Sequence, residues 1–157
     1  MNESKRLAEQ MTKALNGDAW HGPSWREALE GIDREAAGHR PIPEAHTIAE
    51  LVLHTTTWLD VVRRRLEGES PNVSDSENWP SAAFEDEGAW SAAVARLFES
   101  GKALMGVVNE FPAEKLHDKR PGVDGTWYDL IVGELQHLLY HAGQVSLLRK
   151  ARAHAAV

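Results

Sequence analysis

The sequence predicts an all-α protein, a four-helix bundle formed by one domain over residues 1–157. Apolar residues recur three and four apart along four long segments, which is the period of an amphipathic helix. No segment alternates apolar and polar residues in the way that marks a strand. A long polar stretch separates the second long segment from the third, as the crossover does in some four-helix bundles.

The first half of the chain is predicted to hold two long helices. The first covers about residues 3–16 and ends at Gly17. A short helix follows Ser24, and Gly38 with the Pro-Ile-Pro stretch after it ends that helix. The second long helix begins between residues 44 and 47 and ends at Glu67, with a broad apolar side that includes His54.

The second half begins with the crossover, predicted to be irregular over residues 69–86. The third long helix covers about residues 87–109. A loop around residues 119–122 leads to Thr126, which has the side chain of a helix N-cap. The fourth long helix is predicted from there to about residue 152.

Composition excludes several classes of function. The formal net charge of −7 argues against a nucleic-acid partner, because phosphate binding needs clustered lysine and arginine. The absence of cysteine excludes disulfides, thiolate nucleophiles and cysteine-type zinc sites. The polar N-terminus has no signal-peptide core, and no apolar run is long enough to span a membrane, so a cytoplasmic location is predicted.

Three histidines form the candidate metal site. His137 and His141 are four residues apart on the fourth long helix, so both imidazoles point the same way. His54 adds a third nitrogen from the buried side of a facing helix. A lone buried histidine is more often a satisfied core residue, but three nitrogens with an open position describe a catalytic type of site. They favour zinc or nickel and are compatible with iron, cobalt or copper.

Three further side chains are candidates for the same site. The sequence leaves four roles open for Glu134, which lies one turn before His137. It is a fourth metal ligand, an acceptor that orients a ligand histidine, a general base for a metal-bound water, or simply a surface glutamate near the rim of the bundle. Gln144 holds a ligand or a water, or, more simply, forms hydrogen bonds at the rim. Trp58, one turn beyond His54, is the candidate wall of a substrate pocket.

Two better-known metal constellations do not fit. A zincin helix has glutamate directly after its first histidine, but Leu138 follows His137 here. A ferritin-like di-iron site needs two Glu-x-x-His motifs on core helices, whereas the second one here, residues 114–117, lies in a predicted loop.

With these residues identified, the sequence resembles the DinB superfamily, which includes YfiT-like proteins described as metal-dependent hydrolases. Residues 48–54 (Ile-Ala-Glu-Leu-Val-Leu-His) match the approach to the family's first histidine, and residues 137–144 (His-Leu-Leu-Tyr-His-Ala-Gly-Gln) match its last-helix motif. The likeness covers about residues 3–152 and includes the crossover over residues 80–90. Ala142 departs from the arginine that relatives often carry, so any anion contact by that arginine is absent.

The resemblance implies an up-down-down-up bundle with the long crossover between its second and third helices, a three-histidine metal site and frequently a homodimer. Some relatives transfer bacterial low-molecular-weight thiols or isomerise thiol adducts. The first hypothesis is therefore a metal-dependent enzyme, a thiol S-transferase or a hydrolase, acting on a small molecule. The alternative is a non-catalytic, metal-binding stress or interaction protein. A shared fold does not choose between them.

Overall fold

The computed structural model describes residues 1–155, and every regular element in that range is helical. The all-α prediction is therefore confirmed, while the last two residues of the predicted domain lie outside the described residues. The helices are α1 (Glu3–Asn16), α2 (Trp25–Leu29), α3 (Arg34–Gly38), α4 (Ile48–Leu66), α5 (Asp75–Asn78), α6 (Glu87–Glu110), a 3₁₀ turn at Ala113–Lys115, and α7 (Trp127–Ala155). No helix in the described part of the chain combines the length and apolar character needed to cross a membrane.

The four long helices surround one hydrophobic core. Helix α4 packs against α6 and α7, and α1 packs against the same two helices. The largest side chains that are fully buried come from all four long helices, from α2 and from the end of the 3₁₀ turn, and they include Met11, Leu15, Trp25, Leu51, Leu59, Trp90, Leu97, Leu104, Leu116, Ile131 and Leu138. This packing places α4 directly beside α7, and these two helices carry the three candidate histidines.

Side-chain caps fix where α4 and α7 begin. Thr47 accepts a hydrogen bond from the backbone N–H of Glu50, whose carboxylate accepts one from the N–H of Thr47. The same exchange links Thr126 to Asp129 before α7. Because Thr47 is the N-cap, α4 starts at Ile48, one residue after the predicted range of starts.

The structure differs from the sequence prediction in two connecting regions. The short helix expected after Ser24 is two helices, α2 and α3, since Gly31 takes a positive φ of 72° and Asp33 caps a new helix. The crossover, predicted to be irregular, contains α5. Ser74 and Glu77 form a capping box there, which satisfies the first N–H groups of that short helix.

A close contact between α1 and α6 depends on a glycine. A methyl group on Cα of Gly101 would lie 2.5 Å from Cδ1 of Leu15, which is fully buried. Gly106, on the same helix, has open space at the corresponding position.

We therefore predict that Gly101→Ala and Gly106→Ala differ in effect. Replacing Gly106 raises the free energy of unfolding by up to about 1 kcal/mol, because alanine favours a helix over glycine. Gly101→Ala gains the same helix propensity, but its new methyl group overpacks Leu15. The free energy of unfolding of this variant is therefore lower than that of Gly106→Ala by about 1–3 kcal/mol. Urea unfolding of the two variants measures the difference. Equal effects would mean that α1 and α6 are not in close contact at Gly101.

Candidate metal centre

The side chains of His54, His137 and His141 meet between α4 and α7. Nε2 of His137 lies 2.9 Å from Nε2 of His54 and 2.9 Å from Nε2 of His141. All three nitrogens lie within 4.8 Å of one another, a separation that suits one metal ion. His54 and His141 are almost fully buried, and His137 is partly exposed.

The other ring nitrogens of His54 and His141 face oxygen acceptors. Nδ1 of His54 donates to the backbone carbonyl of Asn78 at 2.6 Å. Nδ1 of His141 donates to Oε1 of Gln144, also at 2.6 Å. A neutral imidazole carries one proton, so both Nε2 atoms present lone pairs to the centre. Acceptors placed in this way fix the tautomer and the ring orientation of metal-binding histidines.

Two contacts of 2.9 Å cannot both be hydrogen bonds, because only His137 has a proton free to lie on its Nε2. That proton can be donated to only one of the two neighbouring Nε2 atoms. In the other contact, the lone pairs of two nitrogens then face each other and repel. A cation held by all three nitrogens removes this repulsion. Nitrogens bound tetrahedrally at 2.0–2.1 Å stand roughly 3.3–3.4 Å apart, so small outward shifts suffice. The donor set therefore fits a divalent metal ion.

Glu134 lies behind His137, on the side away from the three Nε2 atoms. Its Oε2 is 3.5 Å from Nδ1 of His137, and the carboxyl is almost completely buried. Nδ1 of His137 and Oε1 of Glu134 are both buried without a hydrogen-bond partner. A metal on Nε2 would hold the His137 proton on Nδ1, facing Glu134. This position suits an acceptor that orients a ligand better than it suits a fourth ligand.

The crossover supplies two residues that the sequence reasoning did not assign to the site. Besides the carbonyl that accepts from His54, Asn78 offers Oδ1 to Nε1–H of Trp58 at 2.8 Å. The ring of Trp79 stacks on His54 with centroids 3.8 Å apart and on His46 at 3.5 Å. Trp79 thus shields one face of His54 from water. The sequence signal for these two residues was the capping-box pair Ser74 and Glu77, because that pair predicts a helical turn, and such a turn fixes the position of the residues after it.

Burial keeps the three imidazoles neutral. Desolvation lowers the pKa of His137 and of His141 to about 4. It also lowers the pKa of His54, although the bond to the Asn78 carbonyl opposes that shift. Metals bind the neutral imidazole, so protons compete little for these nitrogens near pH 7. Desolvation also raises the pKa of Glu134 well above its ordinary value. Burial thus favours the neutral forms of both Glu134 and His137, and the two form an ion pair only if a cation lies nearby.

A cleft of about 480 Å³ opens onto this centre. His54, His137 and Glu134 line it on one side, and Trp58, the expected pocket wall, lines it as well. Its size suits a small organic molecule. A cleft of about 610 Å³ lies elsewhere, near the exposed Trp20, but the three histidines are the group of metal-ligating side chains found among the described residues. The presence of metal-ligating side chains therefore identifies the cleft of about 480 Å³ as the candidate site.

Comparison with known proteins adds one finding. A family model described as the DinB superfamily matches residues 19–145, a range that contains all three histidines and the whole of α4. Neither the curated proteins nor the solved structures gave a significant match.

The depressed histidine pKa values predict how the metal-free protein responds to acid. An unfolded histidine takes up its proton near pH 6.5, whereas His137 and His141 in the folded protein take up theirs near pH 4. Between these values the unfolded state binds more protons, so stability is lost as the pH falls from about 6.5 to about 4. We expect a loss on the order of 1 kcal/mol from His137, which is partly exposed, and up to about 3 kcal/mol from the buried His141.

Urea unfolding of the chelator-treated protein at several pH values measures this loss. His137→Gln removes one titrating group, so its stability should fall less steeply over the same interval. Parallel pH profiles for the two proteins would contradict burial of a neutral His137.

Proposed function

The chain belongs to the DinB superfamily, and on that premise we propose that it binds one divalent metal ion and acts as a metal-dependent enzyme on a small molecule. The match confirms the resemblance drawn from the two histidine motifs. The proposed ligands are His54, His137 and His141. The observation that carries the proposal is the convergence of their three Nε2 atoms, two of which must be unprotonated.

Each proposed ligand has a partner that holds its ring. The Asn78 carbonyl orients His54, and the Gln144 side chain orients His141. Glu134 is the acceptor closest to Nδ1 of His137 and holds the proton at that atom when Nε2 is engaged. Such partners raise the basicity of ligand histidines and keep the site assembled.

The proposed chemistry is nucleophile activation. A bound divalent metal lowers the pKa of a coordinated thiol or water toward neutrality. The residues of this chain supply the setting: Trp79 covers the face of His54, and Trp58 forms the cleft wall beside His137. The chain has no cysteine, so a thiol nucleophile must come from a second small molecule, such as a low-molecular-weight thiol.

A non-catalytic, metal-binding stress or interaction protein is the alternative. The open cleft beside the histidines favours the enzyme, because a purely structural metal is normally enclosed by four protein ligands. Thiol transfer or ester hydrolysis by the metal-loaded protein, absent from His137→Ala, would support the enzyme. A fully loaded protein that accelerates neither type of reaction supports the alternative.

The proposal includes an up-down-down-up bundle of α1, α4, α6 and α7, supported by the packing of α1 and of α4 against both α6 and α7. The homodimer and the cytoplasmic location stay predictions.

We predict that His137→Ala and His141→Ala each lose metal binding, because each removes one of three protein ligands. The purified wild-type protein should hold about one zinc or nickel ion per chain after reconstitution, and each variant less than about a tenth of that. Metal should also raise the melting temperature of wild type but not of His137→Ala or His141→Ala, since it binds only the intact folded site. Elemental analysis and thermal melts measure both.

His117→Ala is the matched control, because His117 is exposed and lies away from the centre. It should bind metal as wild type does. Stoichiometric metal in either His137→Ala or His141→Ala would refute the three-histidine site.

The orienting role of Glu134 predicts a graded loss of metal affinity. Glu134→Ala should weaken metal binding about 10- to 100-fold, the usual cost of removing such a partner. Glu134→Gln should weaken it less, because the amide oxygen can still accept from Nδ1 of His137. Competition with a chromogenic chelator measures both constants, and Gln136→Ala, at an exposed position on the same helix, is the control. An unchanged affinity in Glu134→Ala would remove Glu134 from the site.

A further inference from the structure

Two arginines line the cleft beside the histidines, and neither forms an ion pair with a carboxylate in the described part of the chain. Arg65 comes from the last turn of α4, and Arg120 comes from the loop before α7. Their neighbours differ: Arg63 pairs with Glu67 at 2.6 Å, and Arg64 pairs with Glu69 at 2.6 Å. Among the described residues, neither Arg65 nor Arg120 takes part in an ion pair. The basic run at residues 63–65 therefore divides into two arginines that pair at the surface and one that lines the cleft.

Both guanidinium groups are partly withdrawn from water. Nε of Arg120 is buried and has no hydrogen-bond partner among the described residues, while Nη2 of the same group donates to the Asp124 carbonyl at 3.4 Å. The guanidinium of Arg65 lies over the ring of Trp58, 5.6 Å from its centroid, which leaves the N–H groups on its edge available. Burial lowers the pKa of Arg65, and the positive charge of Arg120 lowers it further. Two such cations in one cleft repel each other unless an anion lies between them.

The other charges of the cleft set the charge of that anion. Asp129 also lines the cleft, but its carboxylate accepts hydrogen bonds from the backbone and side chain of Thr126. Arg120 nevertheless lies close enough to lower the pKa of Asp129. The two guanidinium groups and the Asp129 carboxylate leave one positive charge at the arginines, not counting Glu134 or a bound metal at the histidines, and a monoanion balances that charge.

We propose that this cleft binds a small monocarboxylic acid, with its carboxylate between Arg65 and Arg120 and its apolar body against Trp58, Val62 and Leu130. Guanidinium groups bind carboxylates through paired N–H donors, and the lining beside them is apolar. The inference deepens the proposed function by giving the class of substrate, and it rests on that function only for placing the reacting end at the histidines. Arg65 and Arg120 also line a neighbouring cleft of about 480 Å³ on their far side, so the two arginines form the boundary between the clefts.

The test measures binding of 3-phenylpropionate by isothermal titration calorimetry, to zinc-loaded and to chelator-treated protein. We expect binding in both states, at least about tenfold weaker in Arg65→Gln and in Arg120→Gln. Arg64→Gln is the matched control, because Arg64 precedes Arg65 on the same helix but lies outside the cleft, and it should bind as wild type does. The neutral 3-phenylpropionamide should bind at least about tenfold more weakly than the acid.

Equal binding of the acid and the amide would overturn the proposal, and so would unchanged binding in both arginine variants. Binding that is lost when the metal is removed but is unaffected by the arginine substitutions would overturn it as well. Tighter binding of phenyl phosphate than of the carboxylate would also overturn it. Arg65→Lys, which keeps the charge and lacks the paired donors, covers the case in which Arg65→Gln fails to fold, and it should also weaken binding. If wild type binds no metal but binds the acid through its arginines, the proposed function fails and this inference stands.

Discussion

The convergence of three imidazole nitrogens, held in place from behind, is the constraint on which the account of this protein depends. Carbonyl oxygens of Asn78 and Gln144 keep the protons of His54 and His141 on Nδ1, so lone pairs meet at the centre. Such an arrangement is repulsive without a cation and favourable with one. Burial keeps the rings neutral, so the centre is already in the protonation state that a metal requires.

The fold serves this centre by fixing α4 and α7 against each other. Buried Trp25, at the start of α2, donates its Nε1–H to the carbonyl of Leu138 on α7, between the two histidines of that helix. The crossover then closes over His54 through the stacked ring of Trp79. The remaining side of His137 opens onto the cleft, where Arg65 and Arg120 supply positive charge. One side of the site is thus rigid and dry, and the other is accessible to a ligand.

The sequence predicted the parts of the site that lie on long helices and missed those that lie on loops. The spacing of His137 and His141 follows from the helix period, and the apolar side of α4 predicted that His54 is buried. Glu134, Gln144 and Trp58 share those helices, so their neighbourhood was also predictable. Asn78 and Trp79 end a short helix of the crossover and Arg120 lies in a loop, and they were missed because no long periodic pattern fixes where such residues lie. Arg65 was missed because the helix period does not show that the loop carrying Arg120 completes a cleft beside it.

The central claim is that three imidazole nitrogens of one chain bind the same ion. X-ray absorption spectroscopy of the zinc-loaded protein tests it most directly, because imidazole rings give a distinct scattering pattern. The account predicts three imidazole nitrogens at about 2.0–2.1 Å, with any further ligand supplied from outside these side chains. A spectrum with one imidazole or none, dominated by carboxylate or water oxygens, would show that the metal binds elsewhere and would contradict the account.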